Sequence, residues 1–388
     1  MDKEKKTLIK LLITIFAGVI VTTVFLGGLI VSLLTLQREI LSSLVLVSYA
    51  SIIVFLVLLN KLQSKRIYLI LLIPVICFAA GIGTAHYQYN IDKIPKVEEY
   101  DIHLWKYMPF DSFDALASLD EESTLKFTDN FPVLDGATAL FPVYSSFVQA
   151  VYPKDSINPD SAFLLCSKTE GAYANLFDGK ADIIFCASPS QSQLDYINSR
   201  NINVKFVPIG REAFVFFVNN ENPVNDVSVE NIRGIYSGKI RNWKELGGFN
   251  QRIRAFQRQQ NSGSQTMFIK MMEGSRIIKP GRENVYKDML SIVNRTASYR
   301  DFPNAIGYSF LFYVSKMAAN EEIKLLSING VHPSAQTIQD NSYPFADNFY
   351  AIYLDNEDRN KNIDAFIEWI LSEQGQTLIQ KTGYVPIN

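Results

Sequence analysis

Three stretches without a single charged residue, 11–36, 40–59 and 67–85, dominate the N-terminal part of the chain. A helix needs roughly 20 apolar residues to cross a hydrocarbon core, so the pattern predicts three transmembrane helices within residues 1–89. Three in succession argue against a cleaved leader, which needs only one. Pro74 lies inside the third stretch and would kink it. Lys3, Lys5, Lys6 and Lys10 precede the first stretch, and Lys61, Lys65 and Arg66 join the second to the third. Only Arg38, beside Glu39, separates the first from the second. Basic residues in short loops stay cytoplasmic, so the N-terminus is expected inside and everything after Tyr89 outside.

Residues 90–123 are polar, dotted with aromatics and interrupted by Pro95 and Pro109, which reads as a juxtamembrane linker with a short helix at about 113–119. From Thr124 onward, short apolar runs alternate with helical stretches, the pattern of an α/β fold. Strands are expected at 131–134, 163–166, 182–187, 213–218, 253–256, 305–314, 323–328 and 348–354. Helices are expected at 141–152, 172–177, 190–199, 229–236, 242–247 and 363–378. Phe141, Tyr144, Phe147, Val148 and Val151 fall on one face of the first of these.

Three strand-to-helix turns present small polar residues: Gly136-Ala-Thr138-Ala139, Thr169-Glu-Gly171 and Ala187-Ser188-Pro-Ser190. Ligands of open α/β sheets bind beyond the carboxyl ends of strands, where such turns gather. The same residue types also cap helices with no ligand involved. A fourth stretch, Arg258-Gln-Gln-Asn-Ser262-Gly263-Ser264-Gln265-Thr266, runs directly into a helical segment. A helix start offers free backbone N–H groups, Gly263 lets the backbone come close, and Arg258 brings a planar two-pronged donor. That combination suits an anion.

The chain carries 37 Lys/Arg and 39 Asp/Glu; eight and three of these lie in residues 1–90, which leaves the remainder at about −7. Nothing in that balance points to nucleic acid, and an anion site must be a local feature working against the overall field. Cys166 and Cys186 lie in apolar strand-like runs and suit buried core positions, with a disulfide between them as the alternative. No metal-ligand spacing appears, and His86, His103 and His332 are far apart in the sequence. No cofactor motif is present. Most Phe and Tyr residues fall at core spacing.

The order of these pieces resembles the phosphate-binding, class II periplasmic-binding-protein family, the solute receptors of phosphate ABC transporters. The likeness covers about 134–386. Asp135-Gly-Ala-Thr138-Ala-Leu-Phe-Pro looks like the family's first anion loop, and Asn222-Pro-Val followed by Ile235-Tyr-Ser-Gly-Lys-Ile-Arg-Asn-Trp-Lys244 like its central signature. Arg258 with Ser262-Gly-Ser264 matches the family's arginine and Ser-Gly-Thr, serine replacing threonine. Pro303-Asn-Ala-Ile-Gly-Tyr308 and the stretch from Gly375 to Pro386 complete the series. The resemblance implies two α/β lobes joined by two hinge crossings, lobe one at about 124–214 and 343–388 and lobe two at about 215–342. It implies an oxyanion held in the cleft by Thr138, the Ala139 amide and Thr169 from one lobe, and by Arg258, Ser262, Gly263 and Ser264 from the other. The stretch Cys186-Ala187-Ser188-Pro189, without a carboxylate at Ala187 or Ser188, falls where the family often carries an aspartate that accepts the proton of a protonated phosphate. Without that carboxylate, discrimination against a fully ionised oxyanion such as sulfate is expected to weaken, with Glu170 as a substitute acceptor.

The expected protein is therefore a membrane-tethered extracellular binding protein for phosphate or a similar oxyanion, with an ABC permease as partner. The alternative is a membrane sensor or regulator that keeps the fold with a changed or lost ligand. An enzyme would need a nucleophile-and-base or carboxylate pair in the cleft, and the sequence offers none.

Overall fold

Strand β3, Val204–Asn219, is the element from which both halves of the fold are built. At 3.3 Å per residue its 16 residues span about 50 Å, too long for one small layer. A computed structural model describes residues 104–110, 115–156, 163–299 and 302–387. The three expected membrane spans lie outside these residues, and no helix among the described residues is long and apolar enough to cross a membrane.

In chain order the described strands are β1 Leu134–Gly136, β2 Ile183–Ala187, β3, β4 Asp226–Val227, β5 Arg254–Ala255, β6 Gln257–Arg258, β7 Val285–Tyr286, β8 Ala305–Phe310, β9 Ile323–Leu325, β10 Ser327–Ile328, β11 Ala346–Leu354 and β12 Val385–Pro386. Eight of them share one sheet in the order β1-β2-β11-β3-β8-β5, with β12 and β9 also paired to β3. The helices are α1 Phe141–Val151, α2 Lys168–Phe177, α3 Gln191–Arg200, α4 Val229–Ser237, α5 Gly263–Met271, α6 Met289–Ala297, α7 Ala335–Gln339, α8 Ile363–Leu371 and α9 Glu373–Thr382.

The two ends of β3 serve different cores. Its first half pairs antiparallel with β11, from Leu354 opposite Val204 to Ala346 opposite Ala213. Its second half pairs with β8, Phe214 opposite Phe310 through Val218 opposite Ile306. Around the first half, Ile183, Phe185 and Ala351 face a core of Phe147, Phe366 and Trp369. The intervening Ile184, Cys186 and Ile352 face Tyr173 and Leu176 on the opposite side, as the two-residue period of a strand requires. Around the second half, Phe216, Tyr236, Phe256, Phe268 and Ile292 form a separate core. The chain leaves the first core along β3 and returns beside it, where the Phe214 N–H donates to the Phe345 carbonyl at 2.9 Å. Two lobes with two crossings result.

Several expected elements are present with clear causes. Helix α1 buries all five residues assigned to its inner face. Helix α4 starts at a capping box on Ser228 and ends at Gly238, whose φ of +75° a residue with a Cβ adopts only at a cost. Other expectations need correction. The run at 305–314 is extended only to Phe310, because a Glu212 carboxyl oxygen accepts the Phe312 N–H at 2.7 Å and the chain turns helical there. The expected single helix at 363–378 is two, broken at Ser372, whose extended ψ of 170° lets it precede α9. Residues 115–119 are not helical; a short 3-10 turn at Leu104–Tyr107 stands upstream instead. That part of the linker packs on the first lobe, with Leu104, Tyr107 and Met108 against its core and Lys381 paired to Asp120 at 2.7 Å.

Candidate functional site

Asp135 organises the first two loops. It is fully buried in the middle of β1, and its Oδ1 accepts the N–H groups of both Gly136 and Ser167 at 2.7 Å. Its Oδ2 accepts from Asn175 Nδ2 at 2.8 Å. One carboxylate thereby fixes the turn carrying Thr138 and the turn carrying Thr169. Asp135→Asn would set an amide donor against one of these donors, leaving a buried pair unsatisfied. The expected cost is about 1–3 kcal/mol, read as a lower urea midpoint. The sequence reading quoted Asp135 inside a motif but gave it no task.

The second loop bends through Lys168, a non-glycine residue at φ 62°, a region that side chains rarely adopt and that often marks sites of function. Thr169 follows, 6% exposed. From the other lobe, Ser262 caps α5 by accepting the Gln265 N–H at 3.2 Å, and its own hydroxyl donates to the Gln259 carbonyl at 2.9 Å. Ser262 is therefore chiefly a cap. Gly263 abuts Thr169 across the cleft: a Cβ there would sit 2.9 Å from Thr169 Oγ1. Only glycine lets the loops approach this closely.

Arg258 ends β6 with 7% exposure. Its backbone N–H is held by Gln265 Oε1 at 3.0 Å and by the Tyr308 hydroxyl at 2.9 Å. Tyr308 in turn donates to Gln265 and stacks on Phe268, ring centres 4.8 Å apart. The guanidinium is donated once, from Nη2 to the Lys287 carbonyl at 3.0 Å. Nε and Nη1 are buried with no hydrogen-bond partner, and the Ser264 hydroxyl is in the same condition. Burial pulls the Arg258 guanidinium below its ordinary value, with Tyr308, Asp288 and Tyr313 opposing. Arginine nevertheless stays charged, so the site holds an incompletely compensated cation.

A cavity of about 710 Å³ lies between the lobes and is lined by Thr138, Ala139, Thr169, Arg258, Ser262, Gly263 and Ser264. Seven of the eight residues picked out in the sequence are thus brought together. Ser188 is not among them. It lines a neighbouring cavity with Asn261 and Lys270, and its hydroxyl donates to Asp347 Oδ2 at 3.4 Å. Asp347 also pairs with Lys270 of the other lobe at 2.6 Å, and Ser192 donates to Asn261 at 2.7 Å, so both contacts tie the lobes together. The sequence reading missed Lys168, Lys287 and Asp288, which line the main cavity with Glu170. Asp288 also caps α6, accepting the Ser291 N–H at 2.7 Å.

Cys166 and Cys186 are both free. Each flanks β1 on a different side: Leu164 bridges Leu134, and Ile183 pairs with the same residue. An intervening strand puts their backbones about 9.5 Å apart, beyond disulfide reach. Burial pushes both thiols up from the ordinary thiol value. Among the described residues no His, Cys, Asp and Glu group is suited to a metal ion.

Two α/β lobes closing on a cavity lined by loops from both define a clamp of the periplasmic-binding-protein type. The sequence model of the PBP superfamily domain matches residues 133–374, and the chain belongs to that superfamily. It is 28% identical over 180 residues to the phosphate-binding protein PstS of Borreliella burgdorferi, covering 45% of this chain and 63% of that protein. It is 30% identical over 172 residues to the PstS of Bacillus subtilis, covering 44% of this chain and 53% of that one. The match thus spans less than two thirds of either relative. In fold, it is similar to a putative phosphate ABC transporter substrate-binding protein with bound phosphate from Clostridium perfringens. That likeness has a TM-score of 0.54 and 23% identity over 66% of this chain and 99% of the other. An ABC-type phosphate transport receptor from Vibrio cholerae matches with a TM-score of 0.50 and 19% identity, over 66% and 99% of the two chains.

Proposed function

We propose that this protein is a solute-binding receptor, not an enzyme, for phosphate or a similar small oxyanion, held at the membrane by helices within residues 1–89 and serving an ABC permease. The observation that carries the reading is the pair of buried, unpartnered Arg258 nitrogens beside the unpartnered Ser264 hydroxyl at the cleft cavity. Buried donors on a charged group need an acceptor, and a tetrahedral oxyanion supplies several at once. The names of the PstS relatives support the same ligand class. The ligand set is Thr138, the Ala139 amide, Thr169, Arg258, the Gly263 loop and Ser264. Ser262 acts through the cap, and Ser188 acts through Asp347. The lobe boundaries at about 214 and 343 and the external orientation belong to this reading.

Calorimetry of the wild-type protein with phosphate and then sulfate tests it: saturable binding of one or both is expected, and no heat with either anion overturns it. Closure adds a further check. Gly263→Ala introduces a methyl where Thr169 already sits, so binding should fall about tenfold or more while the unfolding midpoint hardly moves. An unaltered affinity would show that the two loops do not need this approach.

The sensor reading keeps one specific support, the absence of a carboxylate at Ser188 and the diversion of that side chain to Asp347. Copurification with a permease would favour transport, and with a kinase or other regulator, sensing.

A further inference from the structure

The segment Lys239-Ile-Arg241-Asn-Trp243-Lys244, prominent in the sequence, takes no part in the cleft. Its Ile240 and Arg241 line a second cavity, of about 720 Å³, on the lobe that carries Arg258, and this cavity shares no lining residue with the first. Four cations, Arg241, Arg252, Arg254 and Lys279, line it against a single carboxylate, Glu283. None of the four makes an ion pair among the described residues, although charged pairs occur at several other places in the fold.

Two of the cations are held in place. The Arg241 Nε donates to the Gly238 carbonyl at 2.7 Å, across the turn that ends α4, which leaves the two terminal nitrogens of this exposed side chain available. The Arg254 guanidinium lies 4.9 Å from the centre of the Phe302 ring. Arg252 and Lys279 are exposed beside them. Like charges repel when gathered without counter-charges, and here they gather in a region whose overall charge is negative. The guanidinium fork matches two phosphate oxygens at once. The rest of the lining mixes apolar Ile240, Ile253 and Ile278 with the amides of Gln257, Asn284 and Asn304. A cavity of this size, with four cations, several amides and three isoleucines in its lining, exceeds what an inorganic ion needs and suits a phosphate carried on a polar organic body.

We infer that this second cavity binds a phosphoester, through Arg241, Arg252, Arg254 and Lys279, independently of the cleft. The same chemistry occurs in a soluble phosphomonoester and in an anionic lipid headgroup, and the test separates them. The full-length chain in a neutral maltoside detergent is titrated calorimetrically with glycerol 3-phosphate, with dihexanoyl phosphatidylglycerol and with dihexanoyl phosphatidylcholine. At least one of the two anionic probes is expected to bind the wild-type protein and Arg258→Ala alike. The Arg252→Ala/Lys279→Ala double variant should weaken that binding at least tenfold, and Arg254→Gln should do the same. Circular dichroism and binding of inorganic phosphate in the cleft report that these variants are folded; the exposed single change Arg252→Ala stands in if the double variant is not. Preference for glycerol 3-phosphate assigns the site to soluble phosphoesters, and preference for phosphatidylglycerol assigns it to headgroups. Failure of both anionic probes, equal binding of the choline lipid, indifference to the cavity substitutions or loss in Arg258→Ala would each overturn the inference.

Discussion

Arg258→Ala should reduce oxyanion affinity by about two to three orders of magnitude and leave the fold as stable as before. Two charge-assisted hydrogen bonds from a fixed guanidinium contribute about 3–5 kcal/mol together. The stability half of the expectation follows from burial. Arg258 is 7% exposed, and two of its nitrogens have no partner. Removing an incompletely compensated buried cation relieves a desolvation cost, which offsets the single bond to the Lys287 carbonyl. The combination distinguishes a ligand-gripping arginine from a structural one, whose removal would lower the unfolding midpoint. Calorimetry with phosphate and urea unfolding of the same preparation check both halves; unchanged affinity refutes the cleft assignment.

Glu212→Gln should remove most of the pH dependence of stability between pH 5 and 8.5. Burial pushes the Glu212 carboxyl from an ordinary 4.5 up to about 8, against the pull of the Phe312 N–H bond. Between those values the folded protein keeps a proton that the unfolded chain releases. The stabilisation from Glu212 is therefore fully present below about pH 4.5 and is lost as pH rises through about 8. At about 1.4 kcal/mol per pH unit, the wild-type protein should lose up to about 4 kcal/mol over pH 5 to 8.5 that the glutamine variant keeps. Urea titrations at both ends of the range measure it. Parallel losses in the two proteins would place the proton elsewhere.

Much of this was legible in the sequence, and the reasons are local. Helix α1 declared itself because Phe141, Tyr144, Phe147, Val148 and Val151 recur at helical spacing, the small Ser145 and Ser146 being the polar residues buried among them. The Arg258 stretch could be read because capping and anion chemistry use the same residue types. Helix α6 was overlooked although its buried positions, Ile292, Val293, Thr296 and Ala297, recur at helical spacing. The first half of β3 was also missed, since Pro208, Gly210, Arg211 and Glu212 break the apolar run. The structure tolerates them through the irregular register opposite Phe349 and Tyr350. Ser188 shows the limit most clearly. Its place in the third loop was correct, but whether its hydroxyl meets the cavity or Asp347 depends on β11, more than 150 residues away.

One uninterrupted ribbon of paired backbone, β3, belongs to both halves of the clamp. A slack loop in that place would let the jaws wander through many poses. A strand bonded to β11 on one side of Ala213 and to β8 on the other resists splaying and yields mainly by torsion about its own length. The jaws should thus swing along one path and spring back to the same register, so that the spacing between Thr169 and Gly263 on shutting is set by the hinge before any solute arrives.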